Sequence, residues 1–290
     1  MKKIVLIFVG MLLISSLAFG NEVSINFGDL MGDYAAWTPR YVGLDWAGDD
    51  YCVDFDLTDL IDGNELHINE AWKKLPLGDF ANLSVGVIPY AFGKFPYKPS
   101  ENLGITQMSW FGSALMMKFD GDFSGLGWTF YYADNMLLET YPDDYEDIGF
   151  RFTYAVADFD LGFSYKMNFF GEDDPLPTND WEFDLEYTLM EKIDLDFQLY
   201  NIGDDDEDEM DYEALLSYAP GFDFPLLGKA IPYFGYFTRG DAEENNMALG
   251  FNFAPNDETF IKLEYLMDSG KDDAGNAIDA ELNFQVGFTF

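Results

Sequence analysis

Apolar and polar residues alternate with a period of two along most of this chain. At the C-terminal end Leu282, Phe284, Val286, Phe288 and Phe290 are apolar, whereas Glu281, Asn283, Gln285, Gly287 and Thr289 are polar or small. Such alternation predicts a strand with one greasy face and one wet face. The rhythm recurs from the other end. Val23, Ile25 and Phe27 alternate with Ser24 and Asn26; Tyr51, Val53, Phe55 and Leu57 alternate with Cys52, Asp54 and Asp56. Leu126, Trp128, Phe130 and Tyr132 form another row, then Ile148 to Tyr154, Phe159 to Met167, Trp181 to Leu189, Ile193 to Leu199 and Met210 to Tyr218. With a less regular segment at Glu65–Lys73, the pattern predicts sixteen strands, fourteen being the alternative count.

The connections alternate as well. The odd-numbered ones, such as 29–39, 89–108, 135–145, 169–179 and 268–278, are mostly long and carry acidic runs. The even-numbered ones centre on short stretches such as 48–50, 121–123, 157 and 190–191; Pro220–Lys229 breaks the trend. Long loops outside and short turns in the periplasm are the layout of a transmembrane antiparallel barrel.

A soluble β-sandwich alternates too, and three features disfavour it. The apolar face is dense in Phe, Tyr and Trp, as at a lipid interface. The opposite face carries carboxylates on strand after strand. About ten residues per strand suits a tilted membrane crossing. Backbone groups in hydrocarbon need internal partners, so such a sheet has to close on itself. The expected fold is an all-β barrel over residues 21–290 as one domain.

The N-terminus supplies an address. In M-K-K-I-V-L-I-F-V-G-M-L-L-I-S-S-L-A-F-G, Lys2 and Lys3 precede an apolar run, and Ala18 and Gly20 are small residues before a cut. Residues 1–20 read as a secretory signal peptide. No later apolar run approaches the ~20 residues of a membrane helix. The 15 basic and 54 acidic residues of the full chain become 13 and 54 without Lys2 and Lys3, a net charge of −41. That surface repels nucleic acid and attracts cations. Cys52 is the one cysteine, so no internal disulfide forms.

The signal peptide, the repeated amphipathic strands and the closing aromatic resemble bacterial outer-membrane β-barrels. In that class the last strand, here with Phe288 and Phe290, is similar to the assembly signal that the barrel-insertion machinery reads. Leu66–Phe95 resembles porins of the phosphate-selective O/P type more narrowly, through Glu70-Ala71-Trp72, Asn82-Leu83-Ser84-Val85-Gly86-Val87, and Pro89 with Phe92-Gly93. The resemblance implies an outer-membrane porin that passes small hydrophilic solutes and ions, with a homotrimer as its expected assembly and outer-membrane lipid around it.

In general porins with sixteen strands the third loop folds into the barrel, and the resemblance implies the same for 89–108. Its composition suits that role. Pro89, Pro96 and Pro99 stiffen it, and Tyr90, Phe92, Phe95 and Tyr97 supply rings to pack on a wall. Lys94 and Lys98 outweigh Glu101 there. By parity the lumen receives Asp54, Asp56, Asp184, Glu186, Asp194, Asp196 and Glu264 among many carboxylates, but only Lys118, Arg151, Lys166 and Lys262 as cations. With the two signs on separate walls, a transverse field is expected. Carboxylate rings favour cations, and screening within about 8–10 Å keeps the preference mild in a wide pore. An anion- or phosphate-preferring channel built on the basic loop is the alternative, and a structural or adhesive barrel is another.

No catalytic residues are expected. His67 is the only histidine, no serine motif accompanies it, and no metal cluster can be built around it. An enzyme is therefore not expected. The acidic runs Gly203–Glu209, Glu172–Asp174 and Lys271–Asp273 lack the spaced ligands of a dedicated Ca²⁺ loop, so a solvated run, or diffuse bridging of Ca²⁺ or another divalent cation, is all they support. No cofactor is expected.

Overall fold

The computed structural model describes residues 21–27, 41–56, 67–93, 113–134, 146–169, 179–203, 208–218, 222–239, 244–268 and 280–289. Every regular element among them is a strand. In chain order they are β1 (Asn21–Phe27), β2 (Tyr41–Gly48), β3 (Tyr51–Asp56), β4 (His67–Pro76), β5 (Ala81–Pro89) and β6 (Ser113–Phe123). Then come β7 (Leu126–Asp134), β8 (Glu146–Val156), β9 (Phe159–Phe169), β10 (Asn179–Leu189), β11 (Ile193–Gly203) and β12 (Asp208–Tyr218). The last are β13 (Phe222–Phe224), β14 (Gly228–Arg239), β15 (Glu244–Asn256), β16 (Thr259–Asp268) and β17 (Glu281–Thr289). Among the described residues no helix is long and apolar enough to cross a membrane.

Each strand pairs antiparallel with its neighbours, and β1 pairs with both β2 and β17, from Glu22↔Thr289 to Phe27↔Phe284. The sheet therefore has no free edge, and the C-terminal strand is half of the seam. β12 and the short β13 both lie along β14, the first against Tyr233–Phe237 and the second against Gly228–Ala230. They share one place in the ring, so the seventeen segments make a barrel of sixteen strands. The same pairing explains why 220–229 looks too long for a turn. Residues 222–224 extend the barrel wall, and 225–227 make the turn.

One rim has short turns at 49–50, 77–80, 124–125, 157–158, 190–192, 225–227 and 257–258. Several are tight enough to need left-handed backbone: Ser124 and Gly125 have φ of 58° and 85°, and Ala157, Met190 and Glu191 follow suit. The opposite rim is joined by 28–40, 57–66, 90–112, 135–145, 170–178, 204–207, 240–243 and 269–280.

Register sorts the side chains into two faces, and burial labels them. Asp54, Glu70, Ser84, Asp147, Ser164, Glu182, Gln198, Glu213, Lys262, Glu264, Asn283 and Gln285 are buried. Val85, Met117, Phe130, Ile148, Phe163, Phe183, Leu216, Phe234, Leu249, Phe251 and Tyr265 are exposed. Polar groups are inside and large apolar groups outside, the reverse of a soluble core. Outward rings pack on one another along the wall, as in Phe150 with Tyr165 and Phe159 with Tyr187, at 5.5 and 4.4 Å between centroids.

The inner face is not uniformly polar. Ile88, Ala114, Met116, Tyr131 and Ala133 form one buried apolar patch, and Leu215, Phe237 and Ala248 another, across the barrel from it. Rings lie over glycines of adjacent strands. A Cβ on Gly250 would stand 2.2 Å from the Cζ of Tyr233, whose hydroxyl donates to Glu264 Oε2 at 2.7 Å. Gly250→Val is expected to expel that ring, break the hydrogen bond and destabilise the barrel by about 1–3 kcal/mol, read as a lower thermal midpoint in circular dichroism.

Candidate channel lining

The pairing brings most of the sequence-predicted lining residues to the inner face. Asp54, Lys118, Arg151, Lys166, Asp184, Glu186, Asp194, Asp196, Lys262 and Glu264 all fall on the inward register rows. Asp56 pairs with Gly43 and His67 on the same row, and nothing further is described of its side chain. Lys94, Tyr97, Lys98, Glu101 and Phe290 lie outside the described residues, as do the acidic runs at 172–174, 204–207 and 271–273. Phe288 is on the outward face of β17, opposite Val23 and Thr259.

Among the described residues the two signs do not separate onto an acidic and a basic wall. Arg151 on β8 reaches over β9 to β10, with Nη1 2.9 Å from Glu182 Oε2 and Nη2 2.6 Å from Asp184 Oδ2. Its Nη1 also donates to Ser164 Oγ at 2.7 Å. Lys166 on β9 pairs with Asp180 at 2.8 Å. Positive groups are thus interleaved with carboxylates on one wall, because on a pleated sheet the inward neighbours of a lysine or arginine are the inward residues of the next strands. The span across β9 is open only because Gly162 lies beneath it. A Cβ there would sit 2.0 Å from Asp184 Oδ2 and 2.5 Å from Arg151 Nη2.

A second acidic row crosses β2, β3 and β4, where Asp45 pairs with Asp54 and Asp54 with Glu70. Neutral donors serve it: Cys52 Sγ to Asp45 at 3.3 Å, Asn69 Nδ2 to Asp54 at 3.2 Å, and Trp72 Nε1 to Glu70 at 2.7 Å. Cys52 is a buried wall residue with a polar neighbour. Parity in the sequence does not find Glu70. A register shift after Asp54 lets Asn69 bulge out of the β3–β4 ladder, and this reverses the inward parity part-way along β4. Asp147 and Asp180 escape parity for a simpler reason: each is the second residue of its strand, one residue before the alternation becomes legible. Among the described residues no group of three or more His, Cys, Asp or Glu is arranged to hold a metal ion.

The first residues after β5 turn inward. The Tyr90 hydroxyl donates to an oxygen of Asp147 on β8, and the Tyr90 ring meets that of Tyr131 on β7 edge-on at 5.6 Å. Lys166 Nζ lies 5.3 Å from the Tyr90 ring centre and 5.9 Å from that of Phe92. The Gly93 amide donates to Ser164 Oγ on β9 at 3.4 Å. The chain leaves the wall after Pro89, the last paired residue of β5, and Tyr90–Gly93 spans the inner faces of β7, β8 and β9 instead of rising from the rim.

A closed sixteen-strand antiparallel ring is shared with solved proteins. Salmonella typhi OmpF, in complex with daunomycin, aligns at a TM-score of 0.67 with 11% identity, over 93% of this chain and 96% of that one. The chain has the porin fold. The trimer form of OmpT, an outer-membrane protein of Vibrio cholerae, aligns at 0.59 with 14% identity over 93% and 97%. An anion-selective porin from Comamonas acidovorans does so at 0.58 with 15% identity over 93% and 98%. No protein-family model and no curated protein matches the sequence.

Within this porin fold the Arg151 pairs are deeply buried: the guanidinium side chain is 12% exposed, and its partners Glu182 and Asp184 are 0% and 4%. Arg151→Met is expected to strand two buried carboxylates and cost about 3–5 kcal/mol, seen as a lower urea midpoint of tryptophan fluorescence. Combining it with Glu182→Gln and Asp184→Asn is expected to restore most of the loss.

Proposed function

We propose that this chain is an outer-membrane porin, a passive channel for small hydrophilic solutes and ions. The observation that carries the reading is the inversion of the barrel. Large apolar side chains on strand after strand face outward and exposed, while carboxylates, amides and lysine are buried within. Only a hydrocarbon surround makes that outer surface favourable. The porin fold of the neighbours supports the same reading.

In this reading the long-loop rim faces outside and the short-turn rim faces the periplasm. Residues 1–20 direct export, and β17 with Phe288 and Phe290 serves the insertion machinery. The segment beginning at Tyr90 narrows the lumen, with Tyr90 and Phe92 seated on the wall and Lys94, Tyr97, Lys98 and Glu101 in the stretch that follows. A homotrimer is the proposed assembly, by analogy with the trimer form of OmpT.

Selectivity follows from the charge of the inner face. Its carboxylates outnumber Lys118, Arg151, Lys166 and Lys262, and two of those cations are already paired to Asp180, Glu182 and Asp184. A mild cation preference is the proposal. The basic loop residues Lys94 and Lys98 are the basis of the competing anion-preferring channel.

Planar-bilayer recording of the purified mature chain tests both parts. Steady ohmic steps are expected, and silence would sink the channel in favour of a structural barrel. In a KCl gradient the reversal potential is expected to have the sign of K⁺ preference, and Glu186→Gln with Asp196→Asn is expected to move it toward zero. A strong Cl⁻ preference would instead favour the loop-based anion channel.

A further inference from the structure

Among the described residues, charge is densest on the inner face of β10–β12. Asp180, Glu182, Asp184 and Glu186 stand on β10, Asp194 and Asp196 on β11, and Asp211 and Glu213 on β12. Consecutive inward residues of one strand lie about 6.6–6.8 Å apart, and inward neighbours on adjacent strands about 4.8 Å. The wall is therefore a ladder of carboxylates with a regular pitch.

In the middle of it stands Gln198, opposite Asp184 on one side and Glu213 on the other. Its side chain is fully buried, and neither Oε1 nor Nε2 has a hydrogen-bond partner. Glu182 Oε1 is buried without one as well. Groups like these are rarely left so, and each calls for a ligand or solvent atom. One two-residue step down β11, Asp196 faces Glu186, and both are only half-buried. Across from Asp196 on β12 is the apolar Leu215.

A single metal ion does not fit this wall, because no three His, Cys, Asp or Glu converge among the described residues. The pitch fits a molecule with two cationic ends. An ammonium donates three hydrogen bonds and accepts none, which matches a site made of carboxylate and amide oxygens. We propose that the β10–β12 wall binds linear diamines of four or five methylene groups. One ammonium enters at Gln198 Oε1 between Asp184 and Glu213. The other stays one step lower, at Asp196 and Glu186, with the methylenes against Leu215. The half-exposed lower end is the entrance. This rests on the lumen being open to solutes, as proposed above, and it names a solute class for it.

The test is block of K⁺ current through the purified mature chain in planar bilayers, comparing 1,4-diaminobutane with butylamine at matched ionic strength. The diamine is expected to act at a concentration about tenfold lower, the worth of one additional charge-assisted contact. Gln198→Leu and, separately, Asp196→Asn are expected to abolish that advantage; heat-modifiable electrophoretic mobility confirms that each variant is folded. Equal potency of the two amines on the unmodified chain, or an undiminished diamine advantage in both variants, would overturn the proposal. Should the chain carry no current, the channel reading fails by itself. Calorimetric titration of the detergent-solubilised chain then decides the site: diamine heat that Asp196→Asn removes supports it, and absence of heat overturns it.

Discussion

Everything in this molecule depends on leaving no backbone group of the sheet without a partner. A β-strand offers hydrogen bonds on both edges, and hydrocarbon offers none in return. The pairing of β1 with β17 removes the last pair of edges. Once the sheet is closed, each strand has a fixed inside and outside, and the two-residue period becomes a chemical boundary. Phe, Leu and Val can then face outward while Glu, Asp and Gln face inward, without either face compromising the other.

Closure also creates the inner electrostatics. Side chains on adjacent strands point into the same confined space at about 4.8 Å spacing, so a carboxylate cannot avoid its neighbours. Two devices hold them. On β8–β10, Arg151 and Lys166 lie among Asp180, Glu182 and Asp184, and the bare backbone of Gly162 makes room for the pairs. On β2–β4, thiol, amide and indole groups donate to Asp45, Asp54 and Glu70 instead. The same overall charge is thus handled as ion pairs on one side and as hydrogen-bonded anions on another. Tyr90 and Phe92 extend the first arrangement, since their rings rest against the ammonium of Lys166.

Legibility in the sequence varies with local pattern. Trp181–Leu189 alternates without a fault, and its inward Glu182, Asp184 and Glu186 are readable directly. In Ile231–Thr238 both parities are apolar, so nothing in the sequence says that Tyr233 and Phe237 point inward while Phe234 and Tyr236 point outward. Register with β15 decides it, through Gly250 and Asn246. Glu70 is hidden by one bulged residue, Asn69. Phe222–Phe224 passes for loop because three residues are too few to show a period.

Most of the strands, their two-faced character, the approximate size of the ring and the acidic excess are legible along the chain, because each of these is a local or additive property. Which charges meet is settled in the folded barrel. Arg151 lies 31 residues from Glu182, and Tyr90 lies 57 from Asp147. Those partnerships are set by register and by the span across a glycine, which are relations between strands that no single strand encodes.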